Sequence, residues 1–187
     1  MILASRSPRR KELLASCGVE FSIYDANVDE LTAPCGVELE ELPAQNALLK
    51  ARAVAEKFPG EVILGADTMV ICDGEALGKP DSPEDSFRML KMLSGKTHQV
   101  ITGVALLCKA KNFAEVWSEV SQVKFKELSD EDIVRYTALV NTLDKAGAYA
   151  IQEHGELIVE KFDGELENII GLPLTRLKSL LQEHLQN

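Results

Sequence analysis

Six side chains spread through this 187-residue sequence have the types needed to work on a polyphosphate: Arg9, Arg10, Lys50 and Lys79 as cations, with Glu30 and Asp67 as carboxylates. Cleaving a phosphoanhydride needs positive charge on the phosphoryl oxygens, carboxylates that hold a metal, and a base that orients or deprotonates water. Asp67 is the most telling of the six. It stands inside EVILGADTMVIC (Glu61 to Cys72), a nearly continuous apolar run suited to a central strand covered on both faces. A carboxylate there is costly unless it is paired, hydrogen-bonded or metal-bound. No Walker sequence and no dinucleotide glycine fingerprint occurs, so P-loop and Rossmann readings lack support.

The arginines sit at an unusual place. Met1 to Ala4 read as a short buried strand, after which Ser7 is a helix N-cap with Pro8 at the first helical position. The first turn then holds Arg9, Arg10 and Lys11, where the positive end of the helix dipole favours acids. A bound anion would reverse that penalty, because arginine forks and unpaired amides both point hydrogens at its oxygens. The other reading is a solvated basic helix start. Two later helices show the ordinary arrangement: Ser82-Pro83-Glu84-Asp85 and Ser129 with Asp132 place acids in the first turn.

The remaining candidates fall near predicted element ends. Glu20 to Tyr24 read as a strand followed by a polar segment, so Asp29 and Glu30 are either an acidic surface loop or groups at a strand end, where ligands collect in α/β sheets. Pro34 to Gly36 punctuate the chain before a helix over Pro43 to Phe58, whose apolar stripe is Ala47, Leu48, Ala51, Val54 and Ala55. Lys50 interrupts that stripe and either snorkels to water or reaches a phosphate. Gly65 permits close approach of ligand or backbone. Asp73-Gly74 signals a hairpin that returns through Glu75 to Lys79. Thr97 to Cys108 and Val116 to Phe125 read as long antiparallel strands belonging to a second lobe. Asp144 to Gln152 (DKAGAYAIQ) is rich in small residues and ends in an amide; Leu157 to Phe162 read as a strand, and Gly171-Leu172-Pro173 introduces a final amphipathic helix.

Bulk properties limit the alternatives. Thirty acids against 20 basic residues give a net charge of −10, which argues against a general nucleic-acid binder but leaves room for a small phosphorylated ligand met by locally gathered cations. No apolar run has the length of a membrane span, and a strand starting at Met1 leaves no room for a signal peptide, so a cytoplasmic protein is expected. Cys17, Cys35, Cys72 and Cys108 are too widely spaced to suggest zinc and are expected to be reduced thiols. His98, His154 and His184 are scattered and carry no catalytic expectation, and Trp117 reads as packing.

A set of motifs in order, SRSPRR (Ser5 to Arg10), VDE (Val28 to Glu30), LLKARA (Leu48 to Ala53), GADT (Gly65 to Thr68), GKP (Gly78 to Pro80), SGKTHQVITG (Ser94 to Gly103), DKAGAYAIQ and GLP, resembles the Maf family of nucleoside triphosphate pyrophosphatases. The resemblance covers nearly the whole chain. It implies one Maf-like domain over residues 1–187, an α/β fold similar to the inosine triphosphatases, with an extended mixed β-sheet flanked by helices and two lobes enclosing a cleft. It also implies hydrolysis between the α and β phosphates with Mg²⁺ or Mn²⁺, and a homodimer. On matching positions, Asp67 is similar to the family's proton acceptor, Glu30 to a metal-binding or water-positioning carboxylate, and Ser7, Arg10, Lys50 and Lys79 to phosphate ligands. Asp67 as base and Asp67 as metal ligand both stay open. Arg9, Thr68 and Gln152 match the branch acting on dTTP and UTP, and Arg6 departs from the small residue common in the family. A nucleotide-sensing regulator of cell division with little turnover is the competing expectation.

Overall fold

The computed structural model describes residues 1–32 and 36–185; Cys35 and most of the Pro34 to Gly36 punctuation lie outside them. The strands are β1 (Ile2–Leu3), β2 (Ser22–Ile23), β3 (Ile63–Cys72), β4 (Glu75–Leu77), β5 (Thr97–Cys108), β6 (Phe113–Phe125) and β7 (Val159–Asp163). The helices are α1 (Pro8–Ala15), α2 (Leu42–Lys57), α3 (Pro83–Leu93), α4 (Asp130–Leu139), α5 (Gly155–Ile158), α6 (Leu166–Ile170) and α7 (Leu174–Leu185), with a 3-10 turn at Ala146–Ala148. One mixed sheet runs β2-β1-β3-β5-β6-β7, with β4 paired to β3. This is the mixed α/β class expected.

The described residues group into two compact units. Unit 1 comprises Met1–Asp67, Thr102–Glu119 and Leu166–Asn187, and unit 2 comprises Thr68–Ile101 and Val120–Glu165. The strands Thr97–Cys108 and Phe113–Phe125 therefore do not belong to a second lobe alone, as the sequence suggested; their stretch 102–119 belongs to unit 1.

In unit 1, β1 pairs in parallel with β2 and β3, matching Leu3 to Ile23 and Leu64. Side chains alternate across a strand, so each strand feeds two cores. On one face Leu3, Leu64, Ala66, Val104 and Leu106 pack with Leu14 of α1 and with Leu174, Leu177 and Leu181 of α7. On the other, Ile2, Ile63, Ala105 and Leu107 pack with Ala47, Ala51, Val54 and Ala55 of α2. The α2 stripe read from the sequence is thus the buried one. Trp117 joins the first cluster as packing. The eight-residue α1 is short for an isolated helix, and its fixed position depends on the fully buried Leu14. Losing that side chain to alanine costs about 2 to 5 kcal/mol.

Two glycines set how closely α2 lies on the sheet. A Cβ on Gly65 would fall 2.2 Å from the Ala47 carbonyl oxygen, and one on Gly103 would fall 2.1 Å from the Ala44 nitrogen. The close approach permitted at Gly65 is therefore of backbone.

In unit 2, β4 returns antiparallel on β3, pairing Leu77 with Val70, as the Asp73-Gly74 turn predicts. Ser82 caps α3 by accepting from the Asp85 N–H at 3.2 Å, and Ser129 with Asp132 forms a full capping box on α4. The helix α3 packs on α4 and on the 3-10 turn. Two expectations need correction. Leu157 and Ile158 end the short helix α5, so the strand begins only at Val159, and the strand expected over Glu20 to Tyr24 is reduced to Ser22–Ile23. Both predicted runs were apolar enough for a strand but too short for periodicity to separate strand from helix or loop. Among the described residues no helix is long and apolar enough to cross a membrane.

Candidate active site

The cluster is built around Lys50, whose position in the α2 stripe points it at the sheet. Its Nζ donates to Asp67 Oδ1 at 2.7 Å and lies 2.8 Å from Glu30 Oε1. Lys50 is only 9% exposed and Asp67 8%, so the lysine does not snorkel to water. Glu30 comes from the irregular segment after β2; its own side chain is half exposed, but it is turned to Lys50, while Asp29 faces solvent. The carboxylate in the apolar strand is thus paired and hydrogen-bonded, as burial demands. An ammonium carries three N–H donors. Among the described residues, the third donor of Lys50 meets no acceptor.

Asn46 completes this arrangement, and sequence reasoning missed it. It lies one helical turn before Lys50, and its Nδ2 donates to Asp67 Oδ2 at 3.3 Å. The same amide accepts from the Leu31 N–H at 2.7 Å and donates to the Leu31 carbonyl at 3.1 Å. Its signal in the sequence was a second polar residue four positions before Lys50, beside the apolar stripe.

The basic first turn of α1 is resolved into separate roles. Ser7 is the N-cap, with Oγ accepting from the Arg10 N–H at 3.4 Å. The Arg10 side chain turns inward, donating from Nε to the Gly171 carbonyl at 2.8 Å and from Nη1 to Ser5 Oγ at 3.4 Å. Burial lowers its pKa from the usual guanidinium value, while Asp67 and Glu30 pull it back up and Arg9 adds to the lowering. Arg10 therefore lies within the field of both carboxylates. Arg9 is half-buried, and Lys11 is exposed. Arg6, the departure from the resemblance, pairs with Asp25 at 3.3 Å on the surface. Ser5 and the Gly171 carbonyl are further groups that the motifs contained without revealing their use.

Ser7, Arg9, Arg10, Glu30, Lys50 and Asp67 all belong to unit 1, whereas Thr68, Lys79 and Gln152 belong to unit 2. Thr68 follows Asp67 in β3 and is half-buried; Lys79 and Gln152 are exposed. Within unit 2 the Gly147 N–H donates to the Gly78 carbonyl at 2.9 Å, which ties the residue before Lys79 to the DKAGAYAIQ segment. Tyr136 holds that segment near its end, with its hydroxyl accepting from the Ala150 N–H at 3.1 Å and donating to the Ala150 carbonyl at 3.3 Å.

For a cation, the donor chemistry is hard oxygen from Glu30 and Asp67. Among the described residues no group of three His, Cys, Asp or Glu side chains gathers to hold a metal ion. Carboxylate oxygen is the donor type that Mg²⁺ or Mn²⁺ takes together with substrate phosphates, and here both carboxylates are held by the Lys50 ammonium.

A mixed sheet carrying Asp67, with Lys50 from α2, Glu30 from the segment after β2 and an inward-turned Arg10 in their field, defines an α/β protein with a charged cluster at one strand. The chain belongs to the Maf family, with the match to Maf-like protein spanning residues 1–184. It is 44% identical over 181 residues to the dTTP/UTP pyrophosphatase of Dictyoglomus thermophilum, covering 97% of this chain and 94% of the relative. It is 46% identical over 174 residues to the dTTP/UTP pyrophosphatase of Geobacter metallireducens, covering 93% and 90%. The dTTP/UTP pyrophosphatase of Moorella thermoacetica is 45% identical over 184 residues, covering 97% and 93%.

Proposed function

We propose that this protein is a nucleoside triphosphate pyrophosphatase, hydrolysing the α–β phosphoanhydride of dTTP and UTP to the nucleoside monophosphate and pyrophosphate. The observation that carries the reading is the Glu30–Lys50–Asp67 cluster, in which a buried lysine holds two carboxylates and, among the described residues, has a third donor that meets no acceptor. Asp67 accepts one hydrogen bond on each oxygen, and each oxygen has a second lone pair with which to take a proton from the attacking water. Lys50 holds Asp67 in place and offers its third N–H to a phosphoryl oxygen. Arg10 and Ser7 serve the polyphosphate from the start of α1, and Lys79 serves it from the turn after β4. Arg9, Thr68 and Gln152 read the nucleoside; the Gln152 amide can both donate to and accept from a pyrimidine edge.

Glu30 and Asp67 would hold Mg²⁺ or Mn²⁺ jointly with the phosphates, and such an ion would neutralise charge on the phosphoryl oxygens. We place the enzyme in the cytoplasm, in keeping with Cys17, Cys72 and Cys108 as free thiols, and as a homodimer. Light scattering checks the dimer.

The test is pyrophosphate release from dTTP, UTP, CTP and modified uridine triphosphates with added Mg²⁺ or Mn²⁺, with binding scored on the same panel. Turnover of the pyrimidine triphosphates is expected. Tight binding with no product would instead describe a nucleotide sensor.

A further inference from the structure

We infer that Asn46 is a positioning residue that fixes the Glu30 loop against Asp67, an assignment that rests on the reaction proposed above. The start of that loop is tied down by Tyr24, whose N–H donates to the Leu3 carbonyl at 3.0 Å, and by Asp25, which lies 3.3 Å from Arg6. Beyond them, residues 26–32 form neither helix nor strand, so their backbone groups lack the pairing a regular element supplies. Leu31 is 37% exposed, so burial of its side chain anchors the loop only weakly. The Glu30 carboxylate is half exposed, and ion pairs open to water contribute little.

Asn46 ties the loop directly at Leu31. Only 2% exposed, it takes the Leu31 N–H on Oδ1 at 2.7 Å and returns Nδ2 to the Leu31 carbonyl at 3.1 Å, reproducing one rung of a strand pair. The second hydrogen of Nδ2 goes to Asp67 Oδ2 at 3.3 Å. One rigid amide on α2 thereby fixes the residue next to Glu30 and orients the carboxylate of Asp67. An apolar residue at this position would leave the Leu31 groups and the Asp67 oxygen to find other partners. The distance between the two carboxylates, and with it the pair's grip on a phosphate-bound cation, would then be loosely set.

Two measurements on Asn46→Ala test this. Amide hydrogen exchange at Leu31 is expected to accelerate about tenfold or more in the variant, a readout that needs no turnover. The kcat for dTTP is expected to fall about tenfold with KM held within about twofold, and most of that loss should vanish when the change is made in a Glu30→Gln background. Where Asn46→Ala proves unfolded by circular dichroism, Asn46→Leu fills the volume without polar atoms and takes its place. Unchanged protection of Leu31 overturns the inference. So does an equal fold-loss of kcat with and without Glu30. A wild-type protein that releases no pyrophosphate removes the reaction reading, while Leu31 exchange still decides whether Asn46 holds the loop.

Discussion

Two lysines in this molecule are buried between two carboxylates, and they are employed differently. Lys145, 3% exposed in unit 2, donates to the Asn141 carbonyl at 2.6 Å and to Asp144 at 2.9 Å, and lies 3.2 Å from Glu153. All its acceptors come from one stretch of chain within eight residues of it, so the ammonium staples a local turn and its three donors are used. Lys50 gathers Glu30 and Asp67 from segments far apart in sequence and keeps one donor unassigned among the described residues. The contrast separates a lysine whose three donors are used within one local turn from one whose third donor meets no acceptor among the described residues.

The largest effect that sharpens this contrast is Asp67→Asn, which removes the proposed base while keeping the shape. Pyrophosphate release should fall about 10³-fold, with the melting temperature held within a few degrees. Next comes a paired experiment on the lysines. Lys50→Met should lower kcat/KM about 10²-fold, whereas Lys145→Met should act on stability, costing about 3 kcal/mol in denaturant unfolding and leaving kcat of the folded protein within about threefold. Equal catalytic losses from both would erase the distinction. Smaller still, Arg10→Ala should weaken every nucleotide together by about tenfold, while Arg9→Ala should reorder the panel.

The smallest effect at neutral pH belongs to His98, which neighbours Tyr149 and Phe125 in the buried aromatic group of unit 2 and shares a 2.9 Å hydrogen bond with the Tyr149 hydroxyl. Burial pushes its pKa down from 6.5 to about 4. The unfolded chain therefore binds the proton more readily, so this contribution is complete above about pH 6.5 and is lost as the pH falls towards 4. It amounts to about 3 kcal/mol. His98→Gln should flatten the acid limb of stability over that window, and an unaltered slope would refute the assignment.

Most of the elements were legible because their signals are local. Ser82, Ser129 and Asp132 cap the helices they announce, and the α2 stripe is the buried face. Asp67 was legible because a carboxylate in an apolar strand demands a partner. What the partner does was not. Lys50 in a stripe is compatible with snorkelling, and its hydrogen bond to the buried Asp67 carboxylate on β3 decides that its ammonium points inward. Asn46 escaped notice because its role depends on backbone groups of Leu31, 15 residues away, which no motif encodes. The inward turn of Arg10 likewise depends on the carbonyl of Gly171, 161 residues on. For Leu157 and Ile158, a short apolar run did not distinguish the end of α5 from a strand.

The glycine contacts beneath α2 have a consequence for how such sequences can diverge. Because the Ala47 carbonyl and the Ala44 nitrogen would each collide with a Cβ on Gly65 or Gly103, the gap between helix and sheet is fixed by main chain touching main chain. No side-chain substitution can narrow it, and any that widens it carries Asn46 and Lys50 away from Asp67 together. Arg9 on α1 and Gln152 in its exposed turn, the residues proposed to read the nucleoside, lie away from these glycine contacts and can vary without altering the gap. The spacing of the cluster is thus set by backbone, and the side chains around it are left free to vary.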